Sequence, residues 1–284
     1  HGTLKAEEIQ ANWSGDVIFK NVVWVGPDGK TIAEIPLATV SVNLFDALLK
    51  GGTGASVGDV VIDKPSFFVS YNKKDGLNIV NYINFQVEEE QKNNELLTVK
   101  KAVSATQFRG LMEIKDAKVN LLLENKPLDF DKVQFQGNFK QYPKIKYGLR
   151  VKDGKSDIIA DIQNDSGTTA VVAEVKKMPL QNILNVLPQA ADVVITEGNL
   201  PDVKIRADKA DDKWTLNIDG TIDGLKGSLI NYPVTKGSGK FSADTEALKF
   251  AGLNLEVAGQ TVIIDGNVYY AEKPEAKQTY ALTV

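Results

Sequence analysis

Val133-Gln134-Phe135-Gln136-Gly137-Asn138-Phe139 decides how the whole chain is read. Val133, Phe135 and Phe139 fall on one face of an extended segment, and Gln134, Gln136 and Asn138 fall on the other. Period-two alternation of this kind specifies a half-buried β-strand with one apolar side. The next run repeats it: Ile145, Tyr147, Leu149 and Val151 alternate with Lys144, Lys146, Gly148 and Arg150. Working outward, similar short runs recur almost from end to end, divided by Gly, Asn and Asp turns. Function is therefore expected in a long apolar surface built by many strands.

Upstream, the pattern predicts strands at Asp16–Val25, 38–44, Val57–Asp63 and 67–71, with turns at Pro27-Asp28-Gly29-Lys30 and Lys73-Lys74-Asp75-Gly76. Leu44–Lys50, running into Gly51-Gly52, reads as a short amphipathic helix stopped by glycine. Downstream, strands are expected at 117–123, 131–139, 144–151, 157–162, 168–175, 202–207, 214–222, 253–257, 260–270 and 279–284. A second helix is expected at Pro179–Pro188, where Leu180, Ile183, Leu184 and Leu187 make an apolar stripe between two prolines. Capping a sheet edge suits that stripe better than lying across an open side, because bare edges invite aggregation.

Alternation fails between Glu88 and Arg109, where Glu88-Glu89-Glu90-Gln91-Lys92-Asn93-Asn94-Glu95 marks a shift to charged residues. This segment reads as a solvated linker or loop, with a mobile lid as the functional alternative. It divides the expected organisation into an N-terminal β module at 1–85, a charged insertion at 86–110 and a repetitive β region at 111–284. The chain ends inside a strand pattern, which suggests a longer natural protein, and His1-Gly2-Thr3 resembles a tag remnant.

Composition removes several function classes. With 33 basic and 37 acidic residues the net charge is −4, so no broad positive field favours nucleic acid. Cysteine is absent, excluding a disulfide framework and a thiolate metal site. No apolar run reaches the roughly 18 residues needed to cross a bilayer as a helix. The sole histidine, His1, leaves no Ser-His-Asp triad or histidine metal site. Asp129 and Asp131 could act as an acid–base pair, but a solvated strand edge explains them better. Gly51-Gly52-Thr53-Gly54 lacks the Lys-Ser/Thr of a phosphate loop, and Asp211-Asp212 lacks the ligand spacing of a calcium loop. Trp13, Trp24 and Trp214 are too scattered for a sugar platform and read as packing residues. These readings point away from an enzyme and from any cofactor.

The order Trp13-Ser14-Gly15-Asp16-Val17 to Asn21-Val22, then Pro27-Asp28-Gly29, then Leu37 to Leu49 ending at Gly51, resembles the N-terminal part of the AsmA-like family and its TamB (translocation and assembly module) branch. Val60-Val61-Ile62-Asp63-Lys64-Pro65 with Phe67-Phe68-Val69, and Asp75-Gly76-Leu77-Asn78-Ile79-Val80-Asn81-Tyr82-Ile83, are similar to the segments that follow in that family. Beyond residue 85 the likeness is one of texture, including the short Pro-Leu-rich helix at 178–188.

The resemblance implies an all-β fold: a long, curved, mainly antiparallel sheet, folded like a taco into an open U-shaped apolar groove, with a few short helices. It implies a periplasmic protein anchored in the inner membrane through a segment outside this sequence. Its implied task is to carry phospholipid acyl chains toward the outer membrane. Its implied partners are phospholipid and an outer-membrane barrel protein of the TamA/BamA type, and scaffolding of outer-membrane protein assembly is the alternative. The 88–101 segment has no counterpart in the family pattern.

Physical chemistry makes such a groove useful. Exposing acyl chains to water costs about 0.8 kcal/mol per CH₂, so a two-chain lipid meets a barrier of roughly 20 kcal/mol without shelter. Candidate lining residues are Val119, Leu121, Leu123, Val133, Phe135, Phe139, Ile145, Tyr147, Leu149, Val151, Val203, Ile205, Leu216 and Ile218. The same alternation also builds the closed core of a β-sandwich, which the pattern alone favours. Only the resemblance reverses that preference.

Overall fold

Alternating sequence becomes almost continuous strand in the structure, a computed structural model that describes residues 2–42, 57–72, 76–78, 108–123, 125–152, 154, 156–165, 167–184, 193–211, 213–229, 231–269 and 279–283. The fold is all-β, as the alternation requires, with one short helix among the described residues. The chain divides into two units, His1–Asp153 and Gly154–Val284. The expected helix at 44–50 and most of the charged segment at 86–110 lie outside the described residues.

In the first unit, β1 (Thr3–Ala11), β2 (Asp16–Val25) and β3 (Thr31–Val42) form an antiparallel meander. Thr3, expected in a tag remnant, opens β1 and pairs with Val25. The β1–β2 turn is closed by the Asn12 side chain, which accepts from the Asp16 N–H at 2.8 Å and from the Ser14 hydroxyl at 2.6 Å. Gly15 supplies the left-handed backbone (φ 93°) that this turn demands.

β4 (Val57–Asp63) and β5 (Ser66–Asn72) act as one strand broken at Lys64-Pro65, and both pair with β3. A two-residue strand β6 (Gly76–Leu77) pairs with β5. β7 (Leu111–Leu123) joins β4 and β5 in parallel, an exception in a mainly antiparallel sheet. Then β8 (Lys126–Asn138) and β9 (Ile145–Lys152) complete the unit as antiparallel neighbours. Proline has no N–H to give, so the break is bridged from both sides: the Lys64 N–H donates to Lys115 O, and the Lys118 N–H donates to Pro65 O, each at 2.8 Å.

That break continues into the neighbouring strands. β7 carries an extra residue between Ile114 and Ala117, and β8 carries one between Phe130 and Val133. Lys64, Asp116 and Lys132 all take left-handed φ, at 49°, 49° and 54°. Bulges bend strands, so aligned irregularities crease the sheet. Small and compact side chains fill the crease: Ala33, Ala117 and Pro65 are almost wholly buried, with Val133 and Val151 beside them.

The second unit is an antiparallel meander: β10 (Asp157–Asp165), β11 (Thr168–Pro179), β12 (Val193–Ala210), β13 (Lys213–Leu229), β14 (Tyr232–Asp244), β15 (Ala247–Val257), β16 (Gln260–Tyr269) and β17 (Thr279–Thr283). Four strands exceed expectation. β12 and β13 run well past the expected 202–207 and 214–222, β15 begins at Ala247 rather than at 253, and β14 was not anticipated at all.

The helix α1 (Leu180–Leu184) is shorter in its described part than the expected 179–188. It does not cap an edge. Leu180 packs into a buried cluster with Val175, Met178, Leu200 and Val203, so α1 rests on the apolar side of the inner strands β11 and β12. The Gln181 amide ties it down by donating to Thr196 O at 2.6 Å.

Candidate functional site: the apolar side of each sheet

Cross-strand partners share a face, so register shows which alternating sets line up. In the second unit Ile158 faces Val175, Val175 faces Val203, and Val203 faces Gly220. One rung along, Ala160, Ala173, Ile205, Ile218 and Ala243 follow in line. Phe241 faces Phe250, Leu255 faces Val262, and Leu253 faces Ile264. Every strand from β10 to β16 thus contributes apolar residues to one side.

The other side carries the charged and amide side chains, with a few apolar residues among them: Ile159, Val172 and Ile263 stand there, Val172 and Ile263 about half exposed. Asp161, Lys204, Arg206, Asn217, Asp219 and Lys240 occupy the intervening positions, where Arg206 pairs with Asp208 at 3.1 Å. Two buried clusters lie on the apolar side, one around Val175, Met178, Leu180, Leu200 and Val203, the other around Val234, Leu253 and Leu255. Half-buried Leu225 packs against both, making them continuous. Their members come from adjacent strands and α1.

The first unit follows the same rule with different side chains. Val17 faces Val40, which faces Val60, which faces Met112 in the parallel pair. Ile62 continues to Ile114, Phe135 and Leu149. Tyr147 sits opposite Gly137 and gathers Phe135 and Phe139 at ring-centroid distances of 5.9 and 5.7 Å. Phe108 meets Phe139 edge-on at 5.1 Å. Burial among these rings raises the Tyr147 phenol above its ordinary pKa.

Thirteen of the fourteen candidate lining residues lie on strands, and Phe139 stands one residue past the end of β8. Ten fall in the first unit. Val133 and Val151 are buried and paired, whereas Phe135, Phe139, Ile145, Tyr147 and Leu149 are half-buried around them. Val119, Leu121 and Leu123 stand on β7 beyond its bulge, on Ala117's side, and pair with Phe67, Val69 and Tyr71 of β5. In the second unit Val203 is buried, and Ile205, Leu216 and Ile218 are half-buried on the same side.

Sequence reasoning missed others on the same side, including Ile62, Met112, Leu200, Leu225, Phe241 and Leu253. The signal was interrupted because glycines stand at inward positions: Gly137, Gly220, Gly237 and Gly239 occupy places that elsewhere hold Val, Ile or Phe. The tryptophans also differ from expectation. Trp13 is fully exposed at the tip of the β1–β2 turn, and Trp214 is half exposed at the end of β13, so neither is a core residue. The solvated turns pack around backbone, not around indole.

A cavity of about 290 Å³ opens in the first unit between Lys30, Phe68, Asn78, Asn120, Leu122 and Asp129. Register puts Phe68, Asn120 and Asp129 in one row, on the side opposite Val119 and Leu121. Asp129 thus lines a shallow mixed pocket, and Asp131 is exposed. No group of three or more metal-ligating side chains occurs among the described residues, and no described helix is long and apolar enough to cross a membrane.

Compared with known proteins, the chain matches no family model and is similar to no curated protein.

Proposed function

We propose that this protein is a bridge-like lipid carrier of the cell envelope, in which the apolar side of each unit shelters phospholipid acyl chains, and that it is related to the AsmA-like and TamB proteins. One observation carries the reading: inward positions are apolar or glycine on strand after strand, while the intervening positions are mostly charged, amidic or hydroxylic. An apolar side sustained over so many consecutive strands suits a cargo that is long and apolar. A compact substrate would need only a local pocket with a few convergent polar groups. Covering acyl chains along such a surface offsets most of the roughly 0.8 kcal/mol per CH₂ that water exacts.

In this reading the rows Val133–Val151, Phe135–Leu149 and Val203–Ile205–Ile218 touch the chains, and the phospholipid headgroup stays in solvent. The protein takes no cofactor and performs no bond chemistry. The full protein works in the periplasm from an inner-membrane anchor, with an outer-membrane barrel of the TamA/BamA type as its far partner.

Photocrosslinking in living cells tests this directly. A photoreactive residue at Phe135, Phe139 or Leu149 is compared with one at Gln134, Asn138 or Arg150, which register places on the other side. Phospholipid adducts confined to the first set are expected. Capture of outer-membrane protein strands instead would favour a scaffold for barrel assembly, and silence at all inward positions in folded protein would leave a closed core. Independently, combined Val133→Asp, Phe135→Asp and Tyr147→Asp in a protein that still folds should abolish lipid transport.

A further inference from the structure

Large aromatic side chains on the apolar side do not stand up from the sheet; they lie across glycines of the adjoining backbone. A Cβ placed on Gly220 would come within 2.5 and 2.6 Å of Phe241 ring atoms, and 3.1 Å from a Val203 methyl. On the first sheet, a Cβ at Gly137 would meet the Phe139 ring at 2.7 Å and the Phe135 ring at 3.4 Å. Gly220 sits directly opposite Phe241 in register, and Gly137 lies between Phe135 of β8 and Phe139, the residue just past the end of that strand. Neither glycine has a left-handed backbone, so no turn geometry demands it. Contact closer than 3.0 Å is not sustainable for a real Cβ, so any side chain there must lift or swing the ring. What glycine supplies at both places is room for a ring to lie flat.

Gly239 and Gly227 differ in kind, whereas Gly237 meets side chains first, those of Leu255 and Leu225. At Gly239 the obstruction is the Leu253 Cα at 2.6 Å, and at Gly227 it is the Val194 carbonyl oxygen. Those glycines allow backbones to approach, and a substitution there deforms the sheet. At Gly220 and Gly137 the first atoms met belong to movable rings.

We propose that Gly220 and Gly137 are positioning residues for the acyl-chain path: by drawing Phe241, Phe135 and Phe139 down onto the sheet they keep the apolar surface low enough for an extended alkyl chain to lie along it. This rests on the lipid-carrier reading above. A methyl at either glycine props a ring up from the surface, into the space the chain would use, while leaving the face apolar and the hydrogen-bonded ladder intact.

The test uses the whole chain with vesicles of phosphatidylethanolamine and phosphatidylglycerol that contain a phospholipid bearing a diazirine in its acyl chain. After illumination, adducts are mapped by mass spectrometry to peptides of β12–β14 and β8–β9. Gly220→Ala should lower adducts on β12–β14 at least fivefold, and Gly220→Ala with Phe241→Ala should return them to within twofold of the wild type. Gly137→Ala, with and without Phe139→Ala, should behave likewise on β8–β9. Thermal melting confirms that each variant is folded.

Wild-type capture by Gly220→Ala and Gly137→Ala overturns the proposal. Loss that the ring truncations do not restore overturns it too, including failure of the double variants to fold, because the glycines would then be serving the backbone. Both results leave lipid carriage standing. If the wild type itself captures no acyl chain, the lipid reading fails and this inference falls with it.

Discussion

The two units reach a similar segregation of faces by different routes. Between β10 and β17 each strand pairs with the next in sequence, so hairpin turns set the register and the apolar side follows from local pattern. In the first unit β7 is inserted in parallel beside β4 and β5, and long-range pairing must preserve the phase. It does so because the breaks coincide: Lys64-Pro65 interrupts one strand where Asp116 kinks the next. Their contents differ as well. The second unit buries aliphatic side chains under α1, whereas the first buries small residues at its crease and leaves its aromatic rings half exposed. A common surface pattern can therefore rest on a packed cluster or on a creased single layer.

The most severe way to test that difference is truncation of the packed cluster. Leu200, only 4% exposed and enclosed by Val175, Met178, Leu180 and Val203, should cost about 2–5 kcal/mol when changed to alanine. Phe139 is larger but half-buried, so Phe139→Ala should cost less, about 1–3 kcal/mol, despite removing more atoms. Urea denaturation of both variants decides it. Equal or reversed costs would mean that the aromatic group is as tightly enclosed as the aliphatic one, and the contrast would collapse.

Much of this was readable in the sequence where side chains alternate without interruption. Val133–Asn138 and Ile145–Val151 appear in their expected strands, with the expected faces, because a two-residue period has only one way to bury its apolar set; Phe139, expected to close the first of them, falls just past its end. β14 escaped because its inward row reads Val234, Gly237, Gly239, Phe241 and Ala243: two glycines and an alanine give little hydrophobic signal. Crossover pairing of β7 was equally hidden, since alternation specifies a face but names no neighbour. Positive φ at Asp116 and Lys132 was also beyond reach. Neither residue advertises a bulge as glycine does, and the phase slip they produce is decided by strands far away in sequence.

Those bulges give a second, smaller contrast. The crease of the first unit uses Asp116 and Lys132 in left-handed backbone, while the bulges of β13 and β15 use Gly224 and Gly252. Gly252→Ala meets no atom within 4 Å, so its cost is purely conformational, about 1–2 kcal/mol. Lys132→Gly removes the same penalty from the other sheet but frees the unfolded chain, leaving a net gain of about 0.5–1 kcal/mol. Opposite signs in the two melting shifts are expected. The same sign for both would show that side-chain contacts, not backbone conformation, hold the bulges.

The gentlest distinction is made with protons. In the second unit Asp244 accepts from the Lys249 ammonium at 2.8 Å and from the N–H groups of Glu246 and Ala247 at 2.8 and 2.9 Å, which together hold its carboxyl down from 3.8 to about 2. A depressed carboxyl contributes stability that is fully present above its unfolded value and lost as pH falls through its folded one. In the first unit Tyr147 is displaced the other way by burial, so its contribution is complete below the ordinary phenol value of 10.0 and disappears as pH rises through the raised one. Asp244→Asn should therefore flatten the loss of urea resistance between pH 3.8 and about 2, and, because Asp244 holds the Lys249 ammonium above its ordinary 10.5, it should also remove the Lys249 step above that value, whereas Tyr147→Phe should change only the limb above pH 10. Asp244 is solvent-exposed and screened, so its step is the smallest of these effects. Its value lies in direction: of the two, only Asp244 in the second unit's hairpin responds in acid, while Tyr147 of the first unit responds only in base. A change of the acid limb in Tyr147→Phe would show that the two units do not unfold independently.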